Sequence, residues 1–462
     1  MTNPISNLFD NIILLTDSYK ATHYLQYPPK SRFVISYYES RGGKFKEVVF
    51  FGLQYFLKRY LVGQVVTAEK IDEAEDYLKE HMPDAVFNRQ GWEYILNKHN
   101  GRLPISIKAQ PEGMVTPNSN VMMIVENTDP ACYWLTNYLE TLLVQVWHAC
   151  TVATQSREMK KVILKYLKET GNPKEIDFKL HDFGFRGVSS VETAGIGGSA
   201  HLVNFLGTDN IPSLIVARRC YNERMAGFSI NAAEHSTITS WGREHEVDAY
   251  RNMLTSYPTG LVAVVSDSYN IFNACENIWG KELKSMVLNR EGVLVVRPDS
   301  GHPPEVVVKC LEILGKQFGT TENEKGYKVL DPHVRIIQGD GIDFDMLGNI
   351  LEEMKKNKFS ADNIAFGSGG GLLQKMDRDT LKFAFKCSSI NVDGEERDVY
   401  KDPITDQGKQ SKRGKLKLIK KDDNFETTTI DVPGEDLLKE VFKDGEIVKE
   451  YNFSEIRELA SL

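Results

Sequence analysis

Five short apolar runs from residue 178 onward in this 462-residue chain end in residues that do chemistry. "FKLHDFG" reaches His181-Asp182, "GLVAVVSDS" reaches Ser266-Asp267, and "GVLVVRPDSG" reaches Arg297-Pro298-Asp299. "HVRIIQGDG" closes on Gly339-Asp340, and "NIAFGSGGG" on Gly367, Gly369, Gly370 and Gly371. Carboxylates suit sugar hydroxyls or Mg²⁺. Glycines between a strand and a helix let backbone amides converge on an anion. Arg378 follows the helical turn after these glycines, and a guanidinium pairs with phosphate oxygens in bidentate fashion. The plainer readings are a tight turn for the glycines and helix capping for any single Asp, including Asp299 and Asp340. Five polar ends in register point instead to one pocket, and a sugar phosphate is its natural occupant. The glycines are not a P-loop, since no Gly-Lys-Ser/Thr follows.

The elements that must position these residues alternate. Each of the first four runs leads into a stretch with helical spacing, such as "PPEVVVKCLEILGKQFG" or "FDMLGNILEEMKKN". Strand then helix, repeated, is the signature of parallel βα units, whose strand carboxyl ends share one face in a barrel. The expected fold is α/β. A βα-barrel-like catalytic domain covers residues 176–379, and an additional mixed α+β domain is built from 1–175 plus 380–462. In that second domain strands are expected at 32–40, 104–117 and 120–128, and helices at 67–82, 132–149 and 151–170. Hairpin strands return after 380, and the chain closes with a helical tail.

Composition narrows the partners. A net charge of −8 argues against general nucleic-acid binding, and the basic patch Lys412-Arg413-Gly414-Lys415 is too short to form a binding arm. No apolar run has the length of a membrane helix. The start, "MTNPISNLFDNIILLTD", lacks a basic region before its apolar part, so no signal peptide is expected. Cys132, Cys150, Cys220, Cys275, Cys310 and Cys387 form no C-x-x-C pair; they read as separate reduced thiols in a cytoplasmic protein, without a zinc site.

Longer motifs then carry a resemblance. "TDSYKATHYLQYPP", "HDFGFRGVSSVETAGIGGSAHLVNFLGTD", "AAEHSTITSWG", "VVSDSYNIFNACENIWG", "RPDSGHP", "IQGDGID" and "NIAFGSGGGLLQKM" occur in this order. Together they resemble the nicotinamide phosphoribosyltransferase family of type II phosphoribosyltransferases. The resemblance implies a homodimer with shared active sites that forms nicotinamide mononucleotide and pyrophosphate from nicotinamide and phosphoribosyl pyrophosphate. It also implies Mg²⁺ as cofactor and ATP as a coupled co-substrate.

By the same resemblance Phe183 and the partner chain's copy of Tyr19 stack on the pyridine ring, and Asp209 accepts a hydrogen bond from the carboxamide. Arg186 and Arg297 line the nicotinamide and ribose region. Asp299, Gly339 and Asp340 hold ribose hydroxyls, Gly369 and Gly370 meet the 5′-phosphate, and Asp267 and Asp299 lie by the metal and pyrophosphate. Arg41, Arg378, Lys386 and Lys409 meet phosphate groups, arriving partly from the second subunit. His235 is the histidine that ATP phosphorylates. The chain departs from the family in a shorter region after Arg41 than in animal members, and in Ala384, where a serine often contacts phosphate.

The chemistry fits such a site. The pyridine nitrogen carries no proton to remove, so no general base is needed. Catalysis rests on positioning the ring and on neutralising the departing pyrophosphate. Without the resemblance, His235 reads as a structural histidine, Asp209 as a loop residue, and Phe183 and Tyr19 as core aromatics. An ionised Asp209 welcomes an amide N–H and repels a carboxylate, which favours nicotinamide over nicotinate. Nicotinate phosphoribosyltransferase is the alternative. A barrel lyase using Lys386 as Schiff-base amine and a non-catalytic binding protein are the other readings.

Overall fold

All five polar-ended runs are strands of one parallel sheet in the computed structural model, which describes residues 8–405, 410–422 and 424–462. In chain order the strands are β1 (Leu180–Asp182), β2 (Gly207–Thr208), β3 (Asn231–Ala232) and β4 (Thr259–Val265). β5 (Glu291–Arg297), β6 (Val334–Gln338) and β7 (Ile364–Ser368) complete the set. They lie in the order β2-β1-β7-β6-β5-β4-β3, with every neighbouring pair parallel. The two outer strands are nearly joined: Gly207 in β2 bridges Phe228, just before β3, and the Thr208 N–H donates to the Phe228 carbonyl at 2.9 Å. The sheet is therefore curled and barrel-like, as expected.

Strand alternation builds its two faces. Ala263, Val295 and Ile337, from β4, β5 and β6, form one buried cluster, and Phe183 packs against it. The intervening Val262, Val264, Leu294, Val296 and Ile336 are also buried. A strand covered on both faces reads as a continuous apolar run, which is how these segments look in the sequence.

The covering helices have legible ends. Pro303–Phe318 begins with two prolines, where a missing N–H has no consequence, and stops at Gly319 with φ +96°. Phe344–Lys356 is capped by Asp343, which accepts from the Met346 N–H at 2.9 Å. Its Leu347, Ile350, Leu351 and Met354 form one buried stripe, each contributing about 1.5–3 kcal/mol by removal from water.

This sheet belongs to a compact unit of Gln155–Arg218, Glu223–Lys375 and Ser461–Leu462. The other unit comprises Met1–Thr154, Arg219–Asn222 and Met376–Ala460. It holds an antiparallel seven-stranded sheet in which Ser31–Ser40 lies between Phe383–Val392 and Val121–Asn127. The hairpin of Leu416–Lys421 and Asn424–Thr429 packs its Leu416 and Leu418 against Ile35, Tyr37 and Val121. The strands expected at 32–40 and 120–128 are present, and the 104–117 segment forms two, Ile105–Ala109 and Val115–Pro117. The expected helix at 132–149 is instead broken into Pro130–Cys132, Leu135–Tyr138 and Glu140–Leu143, after which one helix runs Val146–Thr170. Cys132, Trp134, Leu135, Thr136, Tyr138, Leu139, Leu142 and Leu143 are all buried. A stretch buried on nearly every side has no single apolar seam, so its spacing does not specify one helix.

Candidate active site

The carboxyl ends of the barrel strands surround a cavity of about 770 Å³. Asp182, Phe183 and Arg186 enter from the end of β1 and the loop after it, and Asp209 and Asn210 from the end of β2. Arg297 and Asp299 come from β5, Gly339 and Asp340 from β6, and Gly369 and Gly370 from β7.

Phe183 owes its place to glycines. Its N–H donates to the Ser368 carbonyl at 2.9 Å. A Cβ at Gly367 would fall 1.9 Å from the ring, and one at Gly339 would lie 3.5 Å from the ring and from Asp299 Oδ1. Gly367 is thus required because an aromatic ring occupies the position of its missing side chain. Gly187 meets a milder demand: a Cβ there would stand 3.1 Å from the Gly370 amide nitrogen. Gly369 and Gly370 cap and open the turn Gly370–Leu373, where amides have no intrahelical acceptor.

Asp209 accepts from the Ser229 hydroxyl, which leaves its second oxygen for another donor. At β5, Arg297 Nη2 donates to Asp299 Oδ2 at 3.3 Å, while the buried Arg297 Nε has no hydrogen-bond partner among the described residues. His235 opens the short helix His235–Thr239 behind the Glu234 capping box. Its Nε2 lies 3.0 Å from Asp267 Oδ1, and its Nδ1 lies 4.0 Å from Asp299 Oδ2. The chain Asp267–His235–Asp299–Arg297 therefore connects β3, β4 and β5 at the same end of the barrel. Asp267 and Asp299 offer only oxygen donors, and two carboxylates completed by substrate phosphates are the habitual Mg²⁺ environment.

Two strand-end polar residues do structural work. His181 is buried, its Nε2 lies 3.1 Å from the Phe178 carbonyl, and burial lowers its pKa, so it stays neutral. Ser266 accepts from the Trp279 indole N–H at 3.1 Å.

Tyr19, Arg41, Arg378 and Lys386 belong to the other unit, and Lys409 lies outside the described residues. Strand register puts Lys386 opposite Tyr37 and Ala384 opposite Glu39. Burial lowers the Lys386 pKa, and Arg41, Arg378 and Lys20 lower it further, which places these cations close together. Arg41 Nε donates to the buried Glu39 at 2.9 Å, while its buried Nη2 has no hydrogen-bond partner among the described residues. Carboxylates sit among these cations: Glu140 pairs with Lys20 at 2.8 Å and raises the Lys386 pKa in opposition. Tyr19 is exposed.

Sequence reasoning did not single out Asn210, Phe185 or Ser229 as site residues. Asn210 and Phe185 line the cavity, and Ser229 reaches Asp209 from a distant part of the chain. No spacing rule marks them.

Residues 178–446 match the model of the nicotinate phosphoribosyltransferase (NAPRTase) family, and residues 11–107 match the nicotinamide phosphoribosyltransferase N-terminal domain. A nicotinamide phosphoribosyltransferase of Xanthomonas campestris pv. campestris is 50% identical over 460 residues, spanning 97% of each chain. The chain belongs to the nicotinamide phosphoribosyltransferase family. A second relative of that name, from Acinetobacter baylyi, is 31% identical over 96% of this chain and 95% of its own. The crystal structure of human nicotinic acid phosphoribosyltransferase shares the fold at TM-score 0.60 and 16% identity, covering 97% of this chain and 93% of that one. As a nicotinamide phosphoribosyltransferase family member the protein is a pentosyltransferase of pyridine nucleotide biosynthesis. Among its described residues no helix is long and apolar enough to cross a membrane.

Proposed function

We propose that the protein forms nicotinamide mononucleotide and pyrophosphate from nicotinamide and phosphoribosyl pyrophosphate, in NAD salvage. The lone pair of the ring nitrogen attacks C1 of the ribose. The C1–O bond breaks, and its electron pair leaves with pyrophosphate. No proton moves, so the reaction asks for no general base. Phe183 positions the ring, Asp299, Gly339 and Asp340 receive the ribose hydroxyls, and the Gly369 and Gly370 amides face the 5′-phosphate. Asp267 and Asp299 would hold Mg²⁺, which would supply charge neutralisation for the leaving pyrophosphate. The observation that carries the substrate choice is Asp209, a carboxylate on the cavity wall with one oxygen uncommitted.

The test is product chromatography with equal nicotinamide and nicotinate, phosphoribosyl pyrophosphate and Mg²⁺, with and without ATP. Nicotinamide mononucleotide is the expected main product, and its yield should fall when Mg²⁺ is withheld. Asp209→Asn should reduce the preference for nicotinamide by about 30-fold, the equivalent of ~2 kcal/mol of like-charge repulsion. Nicotinate mononucleotide from the wild type would support the alternative, a nicotinate phosphoribosyltransferase. No nucleotide from either base would return the reading to a binding protein.

A homodimer with shared active sites is the second part of the proposal. It is supported by Val191, Ile211 and Ile215, exposed apolar side chains on the helices after β1 and β2. Arg41, Arg378, Lys386 and Lys409 would then receive phosphates, with Tyr19 closing on the ring opposite Phe183. Inactive Phe183→Ala and Arg378→Ala chains, mixed and allowed to exchange, should recover about a quarter of wild-type activity, because mixed dimers keep one intact site. If both residues serve a site within one chain, nothing is recovered. We also place the protein in the cytoplasm, where six unpaired cysteines suit a reducing compartment, and cell fractionation checks this.

A further inference from the structure

Asp182 is fully buried, yet it lines the cavity. Its Oδ1 accepts from the Gly184 N–H at 2.7 Å, and its Oδ2 from the Asn210 side-chain amide at 2.8 Å. Both donors are neutral, and no Lys, Arg or His pairs with it among the described residues. A buried carboxylate without a counter-charge is expensive for a fold to keep, and here each of its oxygens meets one donor, a pairing that an amide with a single acceptor would only half match.

The surroundings are built to keep it in place. Both side-chain N–H groups of Asn210 are committed, one to Asp182 and one to the Ala194 carbonyl at 2.8 Å. The Asn210 Oδ1 is buried and has no hydrogen-bond partner among the described residues. Helix Val191–Leu202 passes so close that a Cβ on Gly198 would stand 2.4 Å from Asn210 Nδ2 and 2.8 Å from Asp182 Oδ2. Glycine there leaves room for the pair. The charged group facing Asp182 from the adjoining β2 is Asp209, whose N–H also donates to the Asp182 carbonyl at 3.0 Å. On its other flank β7 presents Ser368, and on its own strand lies the neutral His181.

We propose that Asp182 is a second specificity carboxylate, acting with Asp209 to make the ring-binding end of the cavity doubly negative. The proposal rests on the reading of this cavity as a nicotinamide site. A doubly negative end excludes a ring bearing a carboxylate. It also favours the positive charge that the ring acquires as its nitrogen bonds to C1. Asp182 acts through this field and through the orientation it gives Asn210. It is a specificity and positioning residue, distinct from the carboxylate that meets the carboxamide.

The experiment compares kcat/KM for nicotinamide and for nicotinate in wild type and Asp182→Asn, across pH 5.5 to 8. Turning over the Asn210 amide would let its Oδ1 accept from the new side-chain N–H but would give up the bond to the Ala194 carbonyl, so folding of the variant is checked by its Tm. At pH 7.5 its preference for nicotinamide should fall about tenfold, with nicotinate gaining as nicotinamide loses. Burial pushes the Asp182 carboxyl up to about 6, and Asp209 adds to the rise. The wild-type preference should therefore weaken as pH falls through 6 and the carboxyl is protonated. Nicotinate's own protonation is common to both proteins, so the steeper wild-type profile isolates Asp182. An unchanged preference in an active variant would overturn the proposal, as would parallel pH profiles. Should the variant fail to fold, a wild-type preference that is flat between pH 5.5 and 7 overturns it alone. Failure of the underlying reading looks different: the wild type would then make no nicotinamide mononucleotide at any pH.

Discussion

Asp299→Asn is expected to lower kcat/KM for phosphoribosyl pyrophosphate by about 10²–10³-fold, with most of the loss in kcat. The side chain stands where three demands meet. It accepts from Arg297 Nη2 at 3.3 Å, lies 4.0 Å from His235 Nδ1, and lines the cavity beside Gly339. Asparagine keeps the acceptor for Arg297 and removes only the charge. The folded protein should therefore survive, and Tm should fall by only a few degrees. In the proposed reaction the charge is what counts, because as C1 loses its bond to pyrophosphate the ribose would take on cationic character that a nearby carboxylate stabilises. A ground-state contact to ribose hydroxyls alone would raise KM and leave kcat intact. Steady-state kinetics separate these outcomes, and a kcat/KM within about threefold of wild type would remove Asp299 from the catalytic group.

How much of this was legible in the chain depends on strand length. β4 to β7 were readable because five to seven residues of apolar run end in Asp or Gly. β1 is shorter, but His-Asp-Phe-Gly marks its end. β2 and β3 have two residues each, Gly207–Thr208 and Asn231–Ala232, and no periodicity exists over two residues. Yet the positions after them carry Asp209, Asn210 and His235. Local pattern thus marks the cavity residues proposed for ribose and phosphate, whereas the roles proposed for Asp209 and His235 rest on the family resemblance. Asn210 had neither signal. Its placement follows from two tertiary contacts, with Asp182 and with the helix that Gly198 lets approach. The broken segment before Val146 was misread for the opposite reason: too many of its residues are apolar for any one face to stand out.

His235→Gln is expected to make rates with and without ATP equal, and to abolish an acid-labile, base-stable phosphate on the protein after incubation with ATP. The argument begins at Asp267, whose side chain is only 5% exposed and lies 3.0 Å from His235 Nε2. A carboxylate at that nitrogen makes it the N–H donor and leaves the lone pair on Nδ1, the arrangement that turns an imidazole into a directed nucleophile. His235 itself is 46% exposed, open to a nucleotide in a way the buried His181 is not. In the step we propose, the Nδ1 lone pair attacks the γ-phosphorus of ATP, and the bond to the bridging oxygen breaks with its electrons leaving on ADP. The resulting phosphate, close to Asp299, would lie where charge on the leaving pyrophosphate is also handled, which is how ATP turnover can influence nucleotide formation. Asp267→Asn separates orientation from chemistry. With the imidazole free to present either nitrogen, phosphorylation should slow by about tenfold or more while remaining detectable. Persistence of the ATP effect or of the labile phosphate in His235→Gln would move the coupling to another residue.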